Sequence, residues 1–195
     1  MLKAEDYRKY WELGLPYLQY LEDLNTALQN PDFPNKEHLP MNSQRMGRVY
    51  KSMSVAESWK KSSGKLNWLV ITELWCGDSS QITPALARIA EGSEGKISIR
   101  FIYRDANPEL IDAHLTNNGR AIPKLLILDE DFNLIKTWGP RPKAAQDLVV
   151  SLKSNPETAS QYQEKLHLWY AKDKQATIQD ELWDIMQEIN SIPHS

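Results

Sequence analysis

Apolar residues recur at helical spacing over residues 4 to 29, at Tyr7, Tyr10, Trp11, Leu13, Leu15, Leu18, Leu21, Leu24 and Leu28. Gly14 and Pro16 interrupt this run. A proline inside a helix removes a ladder hydrogen bond, so a break or two short helices are expected there. Asn30-Pro31-Asp32-Phe33-Pro34-Asn35 reads as a stop followed by a loop. A further helix is expected from about Ser43 to Lys61, ending near Ser62-Ser63-Gly64.

The pattern then changes. Trp68 to Leu74 is an apolar run that suits a buried strand. Ile82, Leu86 and Ile89 share one face of a helix expected from about Ser79 to Ala90, with Gly92 and Gly95 around its end. Lys96 to Tyr103 alternates as a strand does. Asn107-Pro108-Glu109 reads as a helix start, with proline at the first helical position, and that helix is expected to reach about Asn117. Lys124–Asp129 and Phe132–Trp138 read as two strands joined by a tight turn at Asp129-Glu130-Asp131. Gly139-Pro140-Arg141-Pro142 leads into a helix reaching about Leu152, and Asn155-Pro156-Glu157 starts another. Leu182, Ile185, Met186 and Ile189 form an amphipathic stripe, expected to lie on the domain's own surface rather than in a dimer seam.

Between residues 67 and 153 the order is therefore βαβ, α, ββα. A crossover helix between the first two strands implies parallel pairing, and the short turn implies an antiparallel last pair. The expected product is an α/β fold: a mixed four-stranded sheet with helices on both faces. Residues 1–64 are expected to form an N-terminal helical extension packed on a 65–153 core. Residues 154–195 are expected to form a C-terminal extension, all within one structural domain.

Composition narrows the function. The chain has 195 residues, enough to bury a core without disulfide or metal staples. Its 23 Lys+Arg against 26 Asp+Glu give a net charge of −3, which offers no general surface for nucleic acid or membrane. No apolar run exceeds four residues, and Met1 to Tyr7 lacks the apolar core of a signal peptide, so a cytoplasmic protein is expected. Cys76 is the single cysteine, which suits a reducing compartment and rules out a disulfide within the chain. With one cysteine and scattered histidines at 38, 114, 167 and 194, no metal site and no cofactor are expected. The histidines, Lys60-Lys61 and Arg141-Pro142-Lys143 read as structural or solvated groups, and the seven tryptophans as core or interface residues.

The candidate chemistry lies in Trp75-Cys76-Gly77-Asp78-Ser79, where a strand gives way to a helix. The first helical turn offers unpaired N–H groups and partial positive charge, both of which favour a thiolate. Gly77 leaves room for a partner's backbone. Asp78 suits the helix dipole but opposes a second negative charge, so the net shift on Cys76 is left open by sequence.

This segment resembles the Trp-Cys-Gly-Pro-Cys site of thioredoxins. It is closer still to a bacterial thioredoxin-like group with Trp-Cys-Gly-Asp-Cys. Ala121-Ile122-Pro123 stands before a strand as the cis-proline does in thioredoxins, 47 residues after Cys76. The resemblance covers about 67–153 and implies a thioredoxin-like fold. It implies Cys76 as the attacking thiolate, with Trp75, Gly77, Asp78, Ile122 and Pro123 around the substrate and the Ile122 backbone pairing to an extended segment. Two positions depart from the pattern. Ser79 takes the place of the second, resolving cysteine; a hydroxyl forms no disulfide but can donate a hydrogen bond to the Cys76 thiolate. Val70 stands where thioredoxins carry a buried aspartate.

The implied activity is one-cysteine thiol–disulfide exchange. A mixed disulfide forms with a disulfide-containing protein or a low-molecular-weight thiol, and an external thiol resolves it. The alternative is a redox-inactive module that binds a peptide in the Cys76/Pro123 groove. An iron–sulfur carrier ranks last, because Asp78 adds negative charge beside any cluster.

Overall fold

The computed structural model describes residues 2–61 and 64–191. The expected break in the first helical run is present. Helices α1 (Ala4–Leu13) and α2 (Tyr17–Gln29) flank Leu15, which exchanges two backbone hydrogen bonds of 2.7 and 2.8 Å with Phe101. The interruption thus covers part of a strand edge that would otherwise expose unpaired groups.

Helix α3 runs Leu39–Ser52, earlier and shorter than the pattern suggests. Pro40 lies in its first turn, where a missing N–H costs nothing. Beyond Ser52 a tertiary contact takes over, because the Gln179 side chain accepts from Ala56 N–H and donates to the Ser54 carbonyl. Only a short 3₁₀ turn, Glu57–Lys61, remains of the expected continuation. The expected end at Ser62-Ser63 lies outside the described residues.

Strand β1 (Leu66–Thr72) leads into α4 (Ser79–Gly92), and β2 (Ile97–Tyr103) follows. Then come α5 (Pro108–Asp112), β3 (Lys124–Leu128) and β4 (Leu134–Trp138). Helices α6 (Lys143–Ser154), α7 (Tyr162–Asp173) and α8 (Ala176–Ser191) complete the chain. The strands lie in the order β2-β1-β3-β4, with β1–β2 parallel and both other pairs antiparallel. This is the expected mixed sheet.

Three boundaries differ from expectation. Helix α5 stops at Asp112 rather than near Asn117, because Asn117 and Asn118 adopt left-handed φ of 50° and 62° and Thr116 pairs with Gly119. Asn155 starts a turn, its side chain accepting from Glu157 N–H, and α7 begins only at Tyr162. Left-handed Lys174 and Gln175 then part α7 from α8.

Alternation along β1 divides the interior. Trp68 and Val70 join one apolar cluster with α2, α3, α4, α7 and α8, while Leu69 and Ile71 join another with Tyr7, Leu110 and Ile111 from α1 and α5. Leu182, Met186 and Ile189 of the α8 stripe are buried in the larger cluster, so that stripe covers the chain's own core.

Candidate active site

Trp75, Cys76, Gly77 and Asp78 form the link between β1 and α4. Cys76 N–H donates to the Glu73 carbonyl at 3.2 Å, which turns the chain. The Cys76 Sγ then sits at the head of α4, where it accepts the Ser79 N–H at 3.4 Å. On its other side the thiol donates to the Ile122 carbonyl at 3.6 Å. The Ile122–Pro123 peptide is cis. The chain just beyond β4 packs closely on Pro123: at Gly139, where φ is +103°, a Cβ would lie 2.5 Å from the Pro123 carbonyl oxygen.

Cys76 is only 8% exposed. Burial pushes its thiol above the ordinary cysteine range, and the Asp78 charge adds to that. The nearby Ser79 hydroxyl and the Ser79 and Asp78 backbone N–H groups act in the opposite direction and do not win. The sequence left this sign open because depth below the surface is not written in a five-residue motif. Val70 is fully buried and brings no acid to the site.

The structure places the other motif residues as follows. The Ser79 hydroxyl is buried with no geometric hydrogen-bond partner. Asp78 faces inward, its two oxygens taken by the Tyr170 hydroxyl at 2.9 Å and by Arg141 Nη2 at 2.6 Å. Arg141, read from sequence as solvated, is therefore half-buried and paired. The space expected beside Gly77 is filled by the chain itself, since a Cβ there would meet the His167 ring at 3.2 Å. His167 also contacts Gln81 Nε2 through Nδ1 at 3.4 Å. Burial, helped by the Arg45 charge, lowers its pKa to about 4. Ile122 and Pro123 are buried.

Cys76 opens on a cleft of about 560 Å³ between α3 and α7. Its walls include Met41, Asn42, Arg45, Trp75, Gly77 and His167, and neither Ile122 nor Pro123 lines it. Asn42 ties α3 to the site by donating to the Leu74 carbonyl at 3.0 Å, and its Oδ1 accepts from Arg45 at 3.3 Å. Trp75, half-buried under the Arg104 guanidinium, also walls a second cavity of about 470 Å³ with Asp23, Phe33, Glu73, Tyr103 and Asp105. Sequence reasoning singled out none of Asn42, Arg45, Glu73 or Tyr170. Asn42, Arg45 and Tyr170 reach the site through long-range packing that no local spacing marks, and Glu73, though local, is held by a side-chain contact to the distant Asp105 N–H.

Among the described residues, no group of three or more His, Cys, Asp or Glu is placed to hold a metal ion, and no helix is long and apolar enough to cross a membrane.

The fold and this junction agree with comparisons to known proteins. The family model described as Thioredoxin (Thioredoxin_9) matches residues 30–159. No curated protein matches the sequence. A solved protein of unknown function from Pseudomonas aeruginosa is 18% identical with a TM-score of 0.57, over 93% of this chain and 99% of that one. An HIV epitope-scaffold is 20% identical with a TM-score of 0.58, over 89% and 98%. At such identities the two structures speak to fold alone. With the family model spanning about two thirds of its length, the chain belongs to the thioredoxin family.

Proposed function

We propose that the protein carries out one-cysteine thiol–disulfide exchange at Cys76. The observation that carries this reading is the first turn of α4 at the sulfur: the Ser79 N–H donates to Sγ at 3.4 Å, and the buried Ser79 hydroxyl has no hydrogen-bond partner, which leaves its proton available to a thiolate. Both stabilise a thiolate more than a thiol. The reaction balances with a substrate disulfide and an external thiol. Cys76 loses its proton to solvent, and the thiolate attacks a disulfide RS–SR. The Cys76–SR bond forms as the S–S bond breaks and RS⁻ leaves. An external thiol then attacks the adduct, restores Cys76 and carries away the second half. Because burial holds the thiol up, the reactive fraction is small at neutral pH and grows as pH rises.

The test is the reaction of the native protein with 2-hydroxyethyl disulfide from pH 6 to 10, read by intact mass with Cys76→Ser as blank. One adduct per chain, reversed by added thiol and forming faster up to pH 9 and above, is expected. No adduct on the native chain, when the urea-unfolded chain forms one readily, refutes the reading.

The raised thiol favours a second reading, a peptide-binding module with no redox step. It requires Cys76→Ala to retain the partners of the native chain in a pull-down.

A further inference from the structure

The cleft over Cys76 carries one unpaired cation. Arg45 on α3 is half-buried, lines the cleft, and has no carboxylate within 4 Å among the described residues; its one side-chain hydrogen bond is to Asn42. Several arginines elsewhere differ in this respect, whereas Arg48, one turn on along α3, also lacks a carboxylate among the described residues but is exposed. Arg141 is paired with Asp78, and Arg88, Arg104 and Arg120 each hold a carboxylate. A half-buried guanidinium without a counter-ion, beside the chain's only thiol, is a ready fork for an incoming carboxylate. Glu37, 3.6 Å from the His38 ring, and Glu164 also line the cleft, but both are exposed, so solvent weakens their opposition to an anion while either can meet an ammonium.

The shape of the cleft limits its occupant. Its volume of about 560 Å³ falls within the range of sites for small molecules. The side on which a protein substrate's backbone would meet Gly77 is taken by His167, and α7 is anchored there by the Tyr170 hydrogen bond to Asp78. Cys76 itself is too deep for a folded surface to reach except through this opening.

Resting on the exchange reaction proposed above, we propose that the partner of Cys76 is a small disulfide bearing a carboxylate, held by Arg45. The carboxylate binds the guanidinium and sets one sulfur of the ligand against Cys76 Sγ. Exchange follows the same balanced course, with the carboxylate-bearing half left on Cys76 and the other half released as its thiolate.

The test compares rates of adduct formation with four small disulfides: cystine, 3,3′-dithiodipropionate, cystamine and 2-hydroxyethyl disulfide. Each rate is divided by that of the urea-unfolded chain with the same reagent, which removes differences in leaving-group acidity. At low salt the carboxylate reagents are expected to exceed 2-hydroxyethyl disulfide by about tenfold, the scale of one charge-assisted contact, and cystamine to fall below it. Acceleration of both carboxylates points to Arg45 alone; acceleration of cystine alone points to Arg45 together with the ammonium held by Glu37 and Glu164. The ratio should fall towards one in Arg45→Gln and on raising salt, while Lys51→Gln, exposed on α3 and away from the cleft, keeps it. Equal normalised rates for all charges, a preference that survives Arg45→Gln, or insulin reacting faster than the small carboxylates on the same scale overturns the proposal. Failure of even 2-hydroxyethyl disulfide to react with the native chain is a different result, and removes the exchange reading itself.

Discussion

At the scale of single residues, the site turns on how Asp78 is satisfied. The five-residue motif shows an acid two positions from the thiol, and that much was legible in the sequence. Its partners were not, because Arg141 and Tyr170 belong to the segment before α6 and to α7 and nothing local marks them as buried. The pair makes opposite demands when cut. Asp78→Asn removes the charge that helps hold the thiol up, and frees Arg141 to act as a cation near it. Cys76 should therefore react with iodoacetamide several-fold faster near pH 7.5. The same change strands a half-buried guanidinium and should lower unfolding free energy by about 3 kcal/mol in urea titration. A variant that is both less stable and no faster to alkylate would contradict this account of the thiol.

Among the elements, α7 is the one whose position matters most. His167 and Tyr170 stand one turn apart, so a single face of α7 reaches both Gly77 and Asp78. The His167 contact predicts a coupled pair. Gly77→Ala alone should cost about 1 kcal/mol, since the ring must give by a few tenths of an ångström. In a His167→Ala background the same substitution should cost nearly nothing, and a double-mutant cycle by urea denaturation reads the difference. The strands were read to within a few residues because alternation and apolar runs are local signals. The helix ends were read less well: α3, α5 and α7 are bounded by the Gln179 clasp, by left-handed asparagines and by an asparagine turn, where tertiary contacts or side-chain chemistry override periodicity.

For the molecule as a whole, the larger apolar cluster draws on residues from Tyr17 to Ile189. Trp59 packs edge-on against both Trp68 of β1 and Trp183 of α8, with ring centroids 6.0 and 5.3 Å apart. Unfolding should accordingly be a single step by tryptophan fluorescence and by far-ultraviolet circular dichroism, with coincident midpoints. Two histidines, His114 buried and His167 half-buried, give that stability a pH dependence. Burial lowers His114 and His167 from 6.5 to about 4. Between those values the unfolded chain holds more protons than the folded one, so stability rises with pH across the window and falls as pH drops through it. Replacing both with Gln should flatten the slope of the urea midpoint between pH 6.5 and 4. A slope equal to that of the wild type would show that other groups set it.

The serine beside the lone sulfur has a temporal consequence. Whatever becomes joined to Cys76 through sulfur has no internal route of escape, since the chain holds no second thiol to eject it. The dwell time of such an adduct is then written by the surroundings, shortening as free thiol becomes abundant and lengthening as it grows scarce. In that sense the protein keeps a clock whose rate is the reducing strength of its medium.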